Sequence, residues 1–201
     1  MIHAEPFLIG LMLLNGCLSI PFGILAKRSF AKNGNLTPFL AAWSGVAMHG
    51  HALMTFAIAW INRGTLYPPK YWAVLPGLLV LSLGAYIIYL GRKAYGDQSR
   101  VYGLKEDALI THGIYTRSRN PQYFGYGLMF LGGAIASGSL LAFVFVAVFA
   151  LMVHVGITKV EEPHLERIFG QPFLDYQQNV DRYFGKRKKK AGSHGFGSAL
   201  K

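Results

Sequence analysis

Acidic residues are scarce in this chain. Nine Asp and Glu stand against 20 Lys and Arg among 201 residues, a formal net charge of +11. Charge of either sign is thin: 14% of residues are charged, where a soluble domain carries about 25%. Cysteine is nearly absent. Cys17 stands alone, which excludes a disulfide framework within the chain and a Cys-based metal site; inside an apolar run it reads as an inert core residue. The histidines do not compensate. His49 and His51 are two apart and fall on different helix faces, His154 is isolated in an apolar run, and His112 and His164 lie in polar stretches, so a metal centre is not expected. No Gly-rich phosphate loop with a lysine occurs, and no Gly-x-Ser-x-Gly nucleophile turn.

What is present is apolar length. Hydrophobic residues make up 52% of the chain and the mean hydropathy is +0.32. This is the composition of an all-α integral membrane protein. Apolar runs cover roughly 6–26, 39–61 and 71–90. A polar stretch, 91–121, follows. Residues 123–160 are then almost wholly apolar, broken only by Ser-Gly-Ser at 137–139, which reads as a helical hairpin. Its first arm, 122–136, is short, about 22 Å at the helical rise. After it, apolar residues from Leu165 to Tyr183 recur at spacings of three and four. They describe an amphipathic interfacial helix, broken near Gly170 and Pro172. Lys27, Arg28 and Lys32 follow the first run, Arg92 and Lys93 the third, and Lys-Arg-Lys-Lys-Lys stands at 186–190. The positive-inside rule then gives five crossings, with the N-terminus outside and the C-terminus inside. The opening residues lack a basic region and include His3 and Glu5, so the first run is expected to stay in the mature protein. The organisation expected is three transmembrane helices in 1–90, a core in 91–185 and a basic disordered tail in 186–201. That tail suits anionic lipid headgroups and not nucleic acid, because no nucleic-acid fold precedes it.

Two clusters could carry chemistry. Glu161 and Glu162 end the last apolar run, where carboxylates are costly unless paired or wet. Successive helical residues point about 100° apart, so one is expected to face a ligand and the other a structural partner. An ordinary pairing with Arg117 or Arg119 stands beside that reading. Pro163 disfavours helical geometry at Glu162, so the helix is expected to end or kink there. The second cluster is Arg119-Asn120-Pro121. Asn120 reads as an N-cap with Pro121 at the first helical position, and such a helix start also offers free N–H groups to an anion.

The ordered motifs are recognisable. DALITHGIYTRSRNPQYFG (107–125), followed about 35 residues later by EEPHLERIFGQPFLDYQQNV (161–180), resembles the isoprenylcysteine carboxyl methyltransferase family and the related phospholipid N-methyltransferases. The resemblance covers residues 91–185. It implies S-adenosylmethionine as cofactor, entering from the cytoplasm, and a lipophilic acceptor entering from the bilayer. Carried over by position, the cofactor pocket would use Leu109, Ile110, Gly113, Tyr115, Asn120, Pro121, Gln122, Tyr123 and Glu161. Glu161, Glu162 and Arg119 would be the catalytic group, with Asp107 a further candidate base. Asp107 and Asn120 stand where the family carries histidines. Ile157, with Lys159 nearby, replaces the arginine that prenylcysteine enzymes place four residues before the first Glu. These departures favour an amine or other neutral nucleophile over a carboxylate. Two other readings are an NADPH-dependent sterol or steroid reductase and a non-catalytic lipid-binding protein. Tyr126, where the reductases carry Glu, favours the methyltransferase.

Overall fold

The computed structural model describes residues 4–185; the basic tail of 186–201 lies outside them. The described chain is helical and contains no strand. Its helices are α1 (Ala4–Asn33), α2 (Pro38–Ile61), α3 (Tyr71–Tyr95), α4 (Gln98–Val101), α5 (Pro121–Ser137), α6 (Leu140–Gly156), α7 (Glu162–Phe169) and α8 (Gln171–Asn179). A 3₁₀ turn at Gly113–Thr116 precedes α5, and a π turn at Ile157–Glu161 joins α6 to α7. Three helices are long and apolar enough to cross a membrane: α1, α3 and the continuous helix Leu140–Phe169. Large apolar side chains such as Leu13, Leu53, Leu79 and Leu151 stand exposed on the outer faces, as on a surface solvated by lipid. Cys17 is exposed on α1 and is not a core residue.

Both basic-ended helices run past their apolar stretches. Lys27, Arg28 and Lys32 belong to α1, and Arg92 and Lys93 to α3. Lys and Arg are good helix formers and favour the negative end of the helix dipole, so the helices stop only at glycines. Gly34 (φ 75°) follows α1 and Gly96 (φ 68°) closes α3, the left-handed geometry of a helix C-terminus.

The closest packing joins α3 to α5. Gly77, Gly84 and Gly91 are seven residues apart on α3, and Gly125 and Gly132 are seven apart on α5. A Cβ on Gly84 would stand 2.5 Å from the Gly125 carbonyl oxygen, and one on Gly77 would stand 2.6 Å from the backbone of Ala136. A small-residue stripe on each helix lets the backbones touch. The Gly132–Ala136 pair visible in the sequence is one part of this contact. Gly84→Ala is therefore expected to destabilise the fold by about 1–3 kcal/mol, read as a lower midpoint of thermal unfolding in detergent. Gly10→Ala, which adds a methyl to open space, should leave the midpoint unchanged or raise it slightly, since Ala suits a helix interior better than Gly.

The hairpin turn falls at Ser-Gly-Ser. Gly138 (φ 60°) ends α5, and Ser139 Oγ caps α6 by accepting from the Ala142 N–H at 3.1 Å. The loop between α2 and α3 grips this turn. Asn62 Oδ1 accepts from the Ser139 hydroxyl at 3.0 Å, and the Gly64 and Leu66 N–H groups donate to Ser137 and Gly138 at 2.9 Å. Asn62 also donates to Glu5 at 3.0 Å, tying α1 to the same end of the bundle. A core of Met12, Ile58, Ala59, Ala134, Ala142 and Phe145 packs between α1, α2, α5 and α6.

At the opposite end the helix does not break at Glu162 as Pro163 suggests. The π turn adds one residue, so that the Glu162 N–H bonds to Ile157 five residues back and Pro163 falls in the first turn of α7, where no donor is needed. The break comes at Gly170 (φ 57°). The amphipathic segment is thus two short helices, and α8 stops at Asn179, leaving Val180 and Tyr183 outside it. Phe173, Tyr176 and Val180 form a small core with Leu109, Leu165 and Phe169. Arg167 donates to the terminal carbonyls of α1 at Phe30 and Ala31, fastening α7 beneath that helix.

Candidate active site

The helix ends at 95, 121 and 161 converge with the loop 96–112 around a cavity of about 790 Å³, within the range of cofactor and substrate sites. One end is polar, lined by Tyr95, Glu106, Tyr115, Gln122, Tyr123 and Glu161. The cavity then continues between α1, α2 and α6 past Ile20, Trp43, Met48, Phe149 and Met152. A polar chamber and an apolar trench are therefore one space.

The two glutamates have separate partners. Glu161 lines the cavity and accepts a hydrogen bond from the Tyr123 hydroxyl at 2.5 Å. Glu162 does not line it. Its carboxylate accepts from Arg119 Nη2 at 2.8 Å and from Arg182 Nε and Nη2 at 2.9 and 2.8 Å. The side chains of Arg119 and Glu162 are only 5% and 12% exposed, so this is a largely buried ion pair. Backbone bonds reinforce it: the Arg119 N–H donates to Asp181 and the Gly185 N–H to Arg117, each at 3.0 Å. The segment 181–185 thereby fixes the loop that begins α5.

Asn120 occupies the N-cap position, but its side chain makes no capping bond. Its Nδ2 donates to the Arg182 carbonyl at 3.1 Å, and its backbone N–H donates to Ser118 Oγ at 3.1 Å. Pro121 is buried in the first turn of α5 and supplies backbone geometry only. Gln122 Nε2 donates to the Tyr115 hydroxyl at 3.1 Å. Tyr115 is in turn held by the Tyr176 hydroxyl, which donates to its carbonyl at 2.7 Å. Gly113 opens the 3₁₀ turn with φ 61° and lies outside the cavity lining. Leu109 and Ile110 line a separate small pocket of about 40 Å³ against Leu165, Phe169 and Tyr176. They back the site and do not face the large cavity. Arg119, Asn120, Gln122, Tyr123, Tyr115 and Glu161 do face it. Among the described residues no group of three His, Cys, Asp or Glu could hold a metal ion.

Asp107 points away. It pairs with Arg100 at 2.7 Å and Lys105 at 3.0 Å, and those bonds hold its carboxyl well below the usual range. Its neighbour Glu106 faces the cavity instead, a residue that motif matching passed over. Burial, then the Glu161 and Asp107 charges, push the Glu106 carboxyl up to about 7 from its ordinary 4.5. Successive residues of a loop seldom share a face, so either acid of the pair was open to this role. Arg92, near the end of α3, and Tyr126 on α5 also line the cavity.

The sign of the Glu106 shift gives a testable pH dependence. Between pH 4.5 and 7 the folded protein retains a proton that the unfolded chain has lost. The stability due to this group is therefore complete below 4.5 and is lost as pH rises through 7. A cation bound beside the carboxylate reverses the balance, so its affinity is expected to rise about tenfold between pH 6 and pH 8. Titration of a cationic ligand at both pH values should show this rise in the wild type and a smaller one in Glu106→Gln.

Residues 72–172, from the start of α3 into α8, match the family model of phospholipid methyltransferases. No curated protein and no solved structure gives a significant match. The family match spans half of the chain and takes in α3, the loop, the hairpin and both glutamates: the chain belongs to the phospholipid methyltransferase family.

Proposed function

We infer that this membrane protein transfers a methyl group from S-adenosylmethionine to a lipophilic acceptor drawn from the bilayer. The observation that carries the reading is the continuity of the polar chamber with the apolar trench, which would bring a polar cofactor and a lipid-like acceptor into one space. The residues present fit the cofactor. Glu106 and Glu161, with the rings of Tyr95, Tyr115 and Tyr123, surround the polar end; carboxylates and aromatic faces both favour a cation. Asn120, Gln122, Tyr123, Tyr115 and Glu161 would hold it, with Leu109 and Ile110 supporting the wall and Gly113 and Pro121 shaping the backbone. The cofactor supplies a methyl group already activated on a sulfonium.

The protein's own part is positioning, which contributes about 7–11 kcal/mol in well-oriented reactions. Tyr123 fixes the Glu161 carboxylate toward the cavity, and the Arg119–Glu162–Arg182 cluster fixes the start of α5. In this reading Glu161 acts directly on the cofactor, whereas Arg119 and Glu162 act through position. Glu106 takes the proton if the acceptor is a protonated amine, because a base titrating near 7 is matched to that task.

The topology that suits this function has five crossings, with α2 and α5 packed into the bundle beside the three longer helices, the N-terminus outside, and the site and C-terminus in the cytoplasm. Residues 1–90 then wall the acceptor trench and 91–185 carry the reaction, while the basic tail meets anionic headgroups. Incubating membranes with methyl-labelled S-adenosylmethionine tests the reading. Label is expected in the lipid extract with the wild type and not with Glu161→Ala. A lipid extract without label in both would contradict it.

A further inference from the structure

Arg92 is a charge without an evident job. It sits one turn before the end of α3 and lines the cavity. No carboxylate among the described residues lies within ion-pair distance of its guanidinium. Its Nε is buried and makes no hydrogen bond, and Nη2 has one long bond, 3.4 Å, to the Tyr126 hydroxyl. The other guanidinium groups at the site are occupied: Arg119 by Glu162 and Arg100 by Asp107. A buried guanidinium nitrogen without a partner is costly, and a guanidinium is shaped to receive a carboxylate or phosphate through two parallel bonds.

Its position along the helices separates it from the polar chamber. Arg92 lies nearly one turn deeper in α3 than Tyr95, and Tyr126 lies nearly one turn deeper in α5 than Tyr123. Tyr126 packs toward Phe130, with ring centroids 6.1 Å apart, and Phe130 toward His51 at 5.5 Å. Arg92 therefore marks the boundary where the chamber gives way to the trench, where the headgroup of an amphiphile lying in the trench would come to rest.

We propose that Arg92, assisted by Tyr126, is the specificity-determining residue of the acceptor site and binds an anionic group, phosphate or carboxylate, beside the atom that receives the methyl group. The inference rests on the methyltransferase reading. The acceptor is then an anionic or zwitterionic amphiphile and not a neutral one.

The test measures binding of three short-chain probes to detergent-solubilised protein, with and without S-adenosylhomocysteine. The probes are dihexanoyl phosphatidylethanolamine, dodecanoate and dihexanoylglycerol, matched in acyl carbon number. At least one of the two probes that carry a phosphate or a carboxylate should bind about tenfold or more tightly than the diacylglycerol, and which one does so distinguishes phosphate from carboxylate. Arg92→Gln should abolish that preference, Arg92→Lys should retain part of it, and the S-adenosylhomocysteine affinity should change less than threefold in both. Equal binding of all three probes by the wild type would overturn the proposal. So would an Arg92→Gln variant that keeps the preference, or one that loses S-adenosylhomocysteine instead, which would assign Arg92 to the cofactor's own carboxylate. Absence of S-adenosylhomocysteine binding to the wild type would count against the methyltransferase reading alone, since the probe arm without cofactor still decides the anion site.

Discussion

Glu161→Ala is expected to weaken S-adenosylhomocysteine binding by about 10- to 100-fold, the loss of one charge-assisted hydrogen bond, and to reduce methyl transfer at least as much. Two effects combine. The carboxylate that faces the cavity is removed, and the Tyr123 hydroxyl, its donor at 2.5 Å, loses its partner. Glu161→Gln separates them, because the amide oxygen still accepts from Tyr123 but carries no charge. An intermediate loss in Glu161→Gln, measured by calorimetry beside Glu161→Ala, would show that the charge itself contributes. Equal affinity in all three proteins would remove Glu161 from the cofactor site.

Glu162→Ala should act on stability first. Removing one member of a buried ion pair costs about 3–5 kcal/mol, because the opposite charge loses its counter-ion. Here most of that falls on Arg119, whose side chain is 5% exposed; Arg182, at 32%, can turn to water and contributes less. The expected result is a marked drop in thermal midpoint and a fall in cofactor affinity through the displaced start of α5. Arg182→Ala should show a smaller drop. If Glu162→Ala melted like the wild type and lost only turnover, Glu162 would be a reacting group and not a positioning one.

Local chemistry made the hairpin and its two ends legible in the sequence. Ser-Gly-Ser supplies a left-handed glycine and a capping serine in three residues, and Asn-Pro marks the first turn of α5. The divergence of Glu161 and Glu162 follows from the helical advance of about 100° per residue. Features set by tertiary packing were less visible. The ends of α1 and α3 lie beyond their apolar runs, since Lys and Arg extend a helix without extending its hydropathy. The seven-residue glycine spacing on α3 and α5 acquires meaning only once the two helices are known to touch. Motif alignment led to Asp107, but Arg100 and Lys105 turn that carboxylate outward and leave Glu106 at the cavity. The π turn before Pro163 has no sequence signature comparable to the proline it accommodates.

On the proposed function, the polar chamber at the meeting of α3, α5 and the π turn holds S-adenosylmethionine. Calorimetric titration of the detergent-solubilised protein with S-adenosylhomocysteine tests it most directly, with NADPH titrated in parallel. Saturable one-to-one binding of S-adenosylhomocysteine is expected, weakened in Glu161→Ala and Tyr123→Ala, with no heat from NADPH. No heat with millimolar S-adenosylhomocysteine, or saturable binding of NADPH in its place, would contradict it.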